Sequence, residues 1–302
     1  MAAVDVHPRD LKHKFDYLKW DDIYNVEKPF QVLIEIPKDA PDQRKQNIIF
    51  HKGDEETVHD VRHNISAYTL DTTGFTYVLH QSAVVGDQYQ DIDHIKNTYL
   101  PECEQLLQSK IDGVDEIYIY DWRLRRSNMP NRQGKLINYN DPMSAIGPAT
   151  HVHVDQSPAS VVERIRLVFP DRADSLLQGR VRLINLWRPT NGPVENWPLA
   201  VSDGSTIQES NLIETDRIRR NFTGCTMFLL HDERVKWHYM SRQDNNELLM
   251  FKSFDSKEGV VPYAAHGSFE LPDAPPDAKP RESIEVRALV FTRPLNRKVE
   301  LK

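Results

Sequence analysis

The sequence predicts a mainly β protein with flanking α-helices, whose second half folds as a sandwich or a jelly-roll barrel. From Ala149 onward, short runs of alternating apolar and polar residues follow one another, with glycine and proline between them. The first half mixes strand-like runs with one stretch of helical period, which predicts an N-terminal α+β segment. Strands and helices do not alternate and no glycine-rich phosphate loop is present, which argues against a doubly wound nucleotide-binding sheet.

The first half is predicted to contain an arm, a helical stretch and a strand. Residues 1–55 carry scattered aromatic side chains with little period, which predicts an extended arm or cover. Val58–Phe75 is expected to be strand-like. Apolar residues recur at helical spacing over Ile92–Ile111, where Pro101 predicts a break and a second helix directly after it. Glu116–Trp122 alternates with period two and is rich in β-branched and aromatic residues, which predicts a strand.

The second half is predicted to be mostly strands. Asn128–Gly147, just before it, is rich in Asn, Pro, Gly and Ser, which predicts a long loop over the substrate pocket, since loops of this length often carry function. Ser160–Leu177 is expected to be helical. The predicted strands are His151–Asp155, Val181–Trp187, Cys225–His231, Trp237–Met240, Glu247–Phe254 and Ser283–Thr292.

Composition and charge exclude several classes of partner. The 302 residues carry 38 Lys and Arg against 45 Asp and Glu, a net charge of −7, and the two signs are mixed along the chain. Without a basic block, nucleic acid is not an expected partner. No apolar run approaches the roughly 18 residues needed to cross a bilayer, and the first residues lack a secretory signal. Two distant cysteines, Cys103 and Cys225, fit a reducing compartment, so we expect a cytoplasmic protein.

The triplet His153-Val154-Asp155 indicates a metal site. Its two polar side chains are two residues apart on a predicted strand, so they share one face. Two imidazoles and one carboxylate are the ligands of non-haem iron oxygenases. His151 lies on the same face, as a rival ligand or a neighbour. The triplet alone is weak evidence in a chain with twelve histidines, because a hydrogen-bonded pair on a strand is the ordinary alternative.

A third ligand and a co-substrate site follow further along the chain. His266 precedes a proline-rich loop, and Arg281 opens the strand after it. In jelly-roll oxygenases a distal His opens one strand and an Arg starts the next, where its guanidinium pairs with the far carboxylate of 2-oxoglutarate. Ser283 adds a hydroxyl beside it. Arg287 either supports the co-substrate carboxylate or neutralises Glu285 or another acid. This order of motifs predicts an iron(II) oxygenase that uses 2-oxoglutarate and dioxygen.

Three residues of one strand region, Trp237, His238 and Tyr239, are expected to line the substrate pocket. The ordinary alternative for His238, and for the nearby His231, is a hydrogen-bonded histidine of the core or its rim. His151 is also a candidate for the pocket.

Several blocks between residues 55 and 292 carry a family resemblance. They are Leu70–Phe75, Arg125–Arg126, His153–Ser157, Asn185–Pro189, Pro198–Ala200, Phe251–Ser256 and Arg281–Arg287. On these blocks the chain resembles the fungal hydroxylase/desaturase family that includes gibberellin desaturase-like enzymes of secondary-metabolite clusters. Asp121–Arg126 and Val235–Tyr239 depart from the family pattern, so the substrate of a relative cannot be transferred.

The resemblance implies a double-stranded β-helix core, iron(II), 2-oxoglutarate and dioxygen. His153, Asp155 and His266 match the metal positions of the family. Arg281 matches its co-substrate arginine, and Arg188 falls where the family keeps an arginine near the pocket.

We therefore expect one oxygenase domain over residues 1–302, with an arm (1–55), an α+β support (56–148) and a core that holds the metal (149–302). It would oxidise a small natural product of fungal secondary metabolism by hydroxylation, desaturation or rearrangement. Two alternatives stay open: a non-catalytic barrel that pairs with an active homologue, and a cupin-like metalloenzyme that does not use 2-oxoglutarate. A nucleic-acid demethylase of related architecture is disfavoured by the acidic charge. A homo- or heterodimer is possible.

Overall fold

The computed structural model of the chain describes residues 8–129, 141–219 and 223–294. Over these ranges the chain is mainly β, with one sheet of nine strands, one of five and a separate pair. No helix in the same ranges has both the length and the apolar character of a membrane span.

The strands and helices of the described ranges are short, and most of the strands belong to the two large sheets. The strands are β1 (Leu11–His13), β2 (Asp16–Leu18), β3 (Phe30–Val32), β4 (Phe50–Lys52), β5 (Glu56–Asp60), β6 (Phe75–Leu79), β7 (Glu116–Arg126), β8 (His153–Val154), β9 (Arg180–Pro189), β10 (Leu199–Ser202), β11 (Leu212–Ile218), β12 (Thr223–Leu229), β13 (Trp237–Tyr239), β14 (Glu247–Asp255), β15 (His266–Ser268) and β16 (Glu282–Thr292). The α-helices are α1 (Ile92–His94), α2 (Leu100–Lys110), α3 (Pro158–Val168) and α4 (Ala173–Leu177). Short 3-10 turns cover Asp22–Asn25, Val61–His63, Ile65–Ala67, Gly86–Gln90, Gly204–Thr206 and Glu209–Asn211.

The nine-stranded sheet has the order β1-β5-β13-β10-β15-β8-β12-β11-β3. Its central pairs are antiparallel, and β5 and β3 join β13 and β11 in parallel at the two sides. The N-terminal arm therefore adds strands to both edges of this sheet. It also covers the outer face, where Phe15 and Tyr17 pack in one apolar cluster with Val154, Trp237 and Phe269.

The five-stranded sheet is antiparallel, with the order β6-β14-β9-β16-β7. Its two central strands, β9 and β16, are paired from Pro189 opposite Ser283 to Arg180 opposite Thr292. The helical stretch α1–α2 packs on the outer face of this sheet, and Leu107 lies in the same apolar cluster as Leu186 of β9.

Between the two sheets, the inner face of β9 and β16 is apolar at both ends and polar in the middle. At one end Leu183 and Leu289 pack against Ile165 of α3. At the other end Trp187 packs with Phe251. Since side chains on one face of a strand are two residues apart, the positions in between, such as Asn185 and Arg287, must also face inward. The chain thus places polar side chains in a gap that apolar clusters close on two sides.

Two features of the first half differ from expectation. Val58–Phe75 is strand-like only at its ends, because β5 stops at Asp60, whose side chain accepts from the N–H of Arg62 and starts a 3-10 turn. The expected break at Pro101 is a change of helix type: a π-helical turn, Ile95–Tyr99, runs directly into α2. Pro101 lies in the first turn of α2, directly after the π-helical turn.

Candidate metal centre

Two histidines face each other across neighbouring strands of the nine-stranded sheet. His153 opens β8 and His266 opens β15, and the antiparallel register pairs these two residues directly. Their ring centroids are 4.4 Å apart, and the two residues are 7% and 3% exposed. Asp155, two residues after His153, brings its Oδ1 to 3.6 Å from His153 Nε2 and to 4.0 Å from His266 Nε2. The three ligand atoms lie within 4.8 Å of one another, which is a spacing that one metal ion can bridge.

Each imidazole presents its Nε2 to this group because its Nδ1 is directed at a backbone carbonyl. The Nδ1 of His153 lies 2.8 Å from the carbonyl oxygen of His151, and that of His266 lies 3.5 Å from the oxygen of Ala264. A carbonyl only accepts, so Nδ1 carries the proton and Nε2 keeps its lone pair. Burial, with a smaller effect of His153, lowers the pKa of His266 to about 4, so its ring is neutral at pH 7. A neutral imidazole is the form that binds metals.

The carboxylate of Asp155 is held from the opposite sheet. Its Oδ2 accepts from Asn185 Nδ2 at 2.5 Å and from Arg287 Nε at 2.8 Å. Burial by itself would raise the pKa of Asp155, but the Arg287 guanidinium and His153 outweigh it and hold the pKa well below its usual value. The carboxylate is therefore ionised, and its Oδ1 faces the two imidazoles.

Arg287 is surrounded by protein carboxylates. Besides Asp155, it reaches Glu285 Oε2 at 2.9 Å and Asp121 Oδ2 at 3.0 Å. Glu285 is buried as well and accepts from Asn185 Nδ2 at 2.8 Å. This placement favours the second of the two roles expected for Arg287, which was to neutralise Glu285 or another acid.

Arg281 and Ser283 are both buried and offer polar atoms without partners among the described residues. Arg281 is 1% exposed and donates through NH1 to Ser268 Oγ at 2.9 Å and to the carbonyl oxygen of Trp197 at 3.0 Å. Within the described part of the chain, Arg281 Nε, Arg281 NH2 and Ser283 Oγ have no hydrogen-bond partner. Burial, together with Arg125, lowers the pKa of Arg281 to about 9. Buried donors of this kind call for an acceptor, and a carboxylate would satisfy both residues.

A cavity of about 980 Å³ opens onto the metal-ligand group, and His153 and Asp155 are part of its wall. His151 also lines this cavity, where its ring stacks on Phe50 with centroids 3.6 Å apart. The expectation that His151 lies near the pocket therefore agrees with its placement. The expected loop contributes Ile146 and Gly147 to the wall, and its residues 130–140 lie outside the described ranges.

Arg188 does not line the cavity, contrary to expectation. It follows Trp187 on β9, so it points to the other face of the sheet. There it donates to the carbonyl oxygens of His80 at 2.8 Å and Asn245 at 2.5 Å and to the hydroxyl of Tyr99 at 3.2 Å. Arg188 therefore joins the sheet to the helical layer.

Trp237, His238 and Tyr239 of β13 are also outside the cavity wall, which corrects a second expectation. Trp237 and Tyr239 point to the outer face, where the arm buries them, and Trp237 Nε1 donates to the hydroxyl of Tyr17 at 2.9 Å. His238 points inward but is separated from His266 by Val201 of β10, which pairs with both. The alternative of a core histidine therefore fits His238.

His238 is expected to make the protein sensitive to acid. Burial of the ring, with a smaller effect of the nearby His59, lowers the pKa of His238 from its ordinary value of 6.5 to about 4. Asp203 and Lys236 also act on the ring, with smaller effects than burial. Between these values the unfolded chain binds the proton and the folded chain does not, so stability falls as the pH falls. Between pH 7 and pH 5 the free energy of unfolding should fall by about 2 kcal/mol less in His238→Gln than in the wild type. Urea unfolding at the two pH values measures the difference. Equal losses in both proteins would show that this ring does not contribute.

Two residues of the centre were not singled out from the sequence as site residues. Asn185 connects Asp155 to Glu285, and Glu285 is the buried carboxylate between Arg287 and Arg125. The signal for both was present, because each is a polar residue on the inward face of a mostly buried strand. Polar side chains at such positions cost free energy unless they are paired, so they mark a site.

The comparisons with known proteins agree with this geometry. A family model described as "Oxidoreductase/YMDC permease-like domain" matches residues 15–291. The chain is 32% identical over 260 residues to "Fe(II)/2-oxoglutarate-dependent dioxygenase nvfI" of Aspergillus novofumigatus, which covers 84% of this chain and 88% of that protein. It is 43% identical over 139 residues to "Aspirochlorine biosynthesis protein N" of Aspergillus oryzae, a match that spans 45% of this chain and 58% of that protein.

A solved structure supports the same assignment. The "iron and alpha-ketoglutarate-dependent endoperoxidase NvfI" superposes with a TM-score of 0.79 at 28% identity, covering 94% of this chain and 99% of that one. The mainly β architecture thus matches that of an oxygenase that uses 2-oxoglutarate, and the His-Asp-His group fits iron. The chain belongs to the family of fungal Fe(II)/2-oxoglutarate-dependent dioxygenases that act on natural products.

Proposed function

We propose that iron(II) is held by His153, Asp155 and His266 and that the protein uses it to oxidise a small organic molecule. The observation that carries the proposal is the group of three ligand atoms within 4.8 Å, two of them from buried histidines, which is beside a cavity large enough for a substrate. Iron(II), 2-oxoglutarate and dioxygen, when bound, supply the power to cleave an unactivated C–H bond. The protein supplies ligands, orientation and a site that excludes water.

The co-substrate is assigned to Arg281 and Ser283. The unsatisfied Nε and NH2 of Arg281 can donate to both oxygens of the far carboxylate of 2-oxoglutarate, and Ser283 Oγ supplies a further donor. Because the described residues leave Arg281 without a carboxylate partner, the dianionic co-substrate would compensate a buried charge. Arg287 is assigned to a positioning role: it keeps Asp155 ionised and fixes the direction of its Oδ1.

The finer architecture that we propose is a double-stranded β-helix formed by the two large sheets, within a single domain over residues 1–302. Two sheets that face each other across the metal ligands support it. The arm supports the single domain, because its strands β1 and β3 belong to the same sheet as β8 and β15. The outcome of the reaction is hydroxylation, desaturation or rearrangement of a natural product.

The test of the proposed function is the anaerobic binding of iron(II) and 2-oxoglutarate. A visible charge-transfer band appears when the keto acid chelates an iron ion that is held by imidazole and carboxylate ligands. Addition of air and a suitable substrate should then yield succinate. Appearance of the band without succinate would indicate that the substrate is missing. Absence of the band would sink the oxygenase assignment and favour a barrel that serves as a partner subunit.

Arg281→Gln is expected to weaken 2-oxoglutarate binding by about 10- to 100-fold, the effect of losing one charge-assisted hydrogen-bonded pair. Removing a buried cation that lacks a protein carboxylate should leave the ligand-free protein as stable as before or more so. Titration of the visible band measures the affinity, and urea unfolding measures the stability.

Arg188→Gln is the matched control for Arg281→Gln, since Arg188 is equally buried but bonds to backbone carbonyls. It should lower stability and leave the affinity for 2-oxoglutarate unchanged. If Arg188→Gln weakened the binding of 2-oxoglutarate as much as Arg281→Gln does, the assignment of Arg281 would be overturned.

A further inference from the structure

The cavity over the metal ligands is basic, although the protein as a whole is acidic with a net charge of −7. Among the described residues of its wall are the arginines Arg123, Arg125, Arg164, Arg217, Arg219 and Arg287. The carboxylates of the same wall are Glu35, Asp121 and Asp155. A concave wall with one dominant sign of charge focuses the potential and attracts ligands of the opposite sign.

The arginines near the five-stranded sheet are matched by carboxylates. Arg287 is paired with Asp155, Glu285 and Asp121, as described above. Arg125 Nε lies 3.6 Å from Glu285 Oε2, and Arg123 NH2 lies 3.9 Å from Asp121 Oδ1. On this side the charges compensate each other.

The remaining arginines of the described wall are Arg164 of α3 and Arg217 and Arg219, in and just after β11. Its remaining carboxylate is Glu35, which is exposed to solvent. All three arginines also contact other groups of the protein. The feature that would recognise an anion is therefore the summed charge of the wall.

Arg164 is held in a fixed orientation close to the metal ligands. Its guanidinium lies over the ring of Tyr120, 4.3 Å from the centroid, and its Nε donates to Gln156 Oε1 at 3.3 Å. Gln156 directly follows the ligand Asp155 and donates to the hydroxyl of Tyr120 at 3.4 Å. A stacked guanidinium has lost much of its freedom before a ligand arrives, which lowers the entropic cost of binding a carboxylate.

We propose that the substrate is an organic carboxylate whose charged group binds on the Arg164 and Arg217 side of the cavity. This rests on the proposed function, and it names the substrate class of that same site. The charged end then fixes the rest of the molecule across the cavity, so that a carbon distant from the carboxylate faces His153 and Asp155. The volume of about 980 Å³ accommodates a molecule of several fused rings.

The experiment uses 4-biphenylcarboxylic acid and its carboxamide, a pair that differs mainly in charge. Calorimetric titrations with metal-free full-length protein and saturating 2-oxoglutarate measure both affinities without any need for turnover. We expect the acid to bind at least tenfold more tightly than the amide, with a preference that weakens as salt is added. In the double variant Arg164→Gln/Arg217→Gln, the ratio of the affinities for the acid and the amide should fall below about threefold.

Two further variants separate charge from folding. Arg164→Lys keeps the charge and should retain most of the preference, whereas Arg172→Gln removes an exposed arginine that pairs with Glu116 and should change nothing. Equal binding of acid and amide, a preference that survives in the double variant, an equal loss in Arg172→Gln, or no binding of either probe at millimolar concentration would each overturn the proposal. The carboxylate preference does not need iron, so a failure of the proposed function, seen as a missing charge-transfer band, is recorded separately.

Discussion

Replacement of His266 by alanine is expected to abolish iron(II) binding and, with it, the visible band and succinate formation. The variant would leave only His153 and Asp155 as ligands, two residues apart in one chain segment. Changes to groups that merely orient metal ligands cost about 10- to 100-fold in affinity, so the loss of a ligand should cost more than about 100-fold. The measurement is an anaerobic iron(II) titration followed by the absorbance of the 2-oxoglutarate complex.

His151→Ala is the matched control for His266→Ala. His151 lies two residues from His153 and lines the same cavity, but its ring stacks on Phe50 and is not among the three grouped ligands. We expect this variant to bind iron(II) like the wild type. Loss of iron binding in His151→Ala together with its retention in His266→Ala would exchange the two residues in the proposed ligand set.

Arg287→Met is expected to destabilise the metal-free protein by about 3–5 kcal/mol, the range measured when one partner of a buried ion pair is removed. In the wild type, Asp155 and Glu285 contact the same guanidinium, although they are 132 and two positions away from Arg287 in sequence. In the variant both carboxylates would keep their charge and lose this partner. Methionine fills a similar volume, so the loss reports charge rather than a cavity. Urea unfolding at pH 7 measures the change.

The second carboxylate gives an internal check on the Arg287 prediction. Glu285→Gln removes one of the three charges that Arg287 compensates, so in the Arg287→Met background it should restore part of the stability. Arg172→Met, at an exposed ion pair with Glu116, should cost less than about 1 kcal/mol. If Arg287→Met cost no more than Arg172→Met, the buried network would not hold Asp155 in place.

The period of two along strands was sufficient to predict that the two proposed ligands in and just after β8 share a face. His153 and Asp155 had to share a face, and the structure places both on the inside with His266 opposite. The same reasoning failed for Trp237 and Tyr239, which do share a face, but the outer one. A period of two identifies the residues that lie on one face of a strand. It does not identify that face as the inner or the outer one when the arm makes both faces of the sheet apolar.

The partners of Arg287 could not be derived from the sequence. Glu285 is its neighbour on the same strand face. Asp121 comes from β7, which pairs with β16, and Asp155 comes from the segment after β8, which belongs to the opposite sheet. The error at Arg188 has a simpler cause. A resemblance transfers a residue type, whereas its position next to Trp187 on a strand already implied the opposite face.

The carboxylate of Asp155 connects the two large sheets. Its chain segment follows β8 of the nine-stranded sheet, while the groups that hold its Oδ2, Asn185 and Arg287, belong to β9 and β16 of the five-stranded sheet. The distance between the carboxylate and the two imidazoles therefore depends on the spacing between the layers. That spacing is set by the packing of large side chains such as Trp187 and Phe251. A substitution there that changes the thickness of the core would alter the iron geometry without touching a ligand, so the tuning of reactivity in this fold extends to residues of ordinary packing.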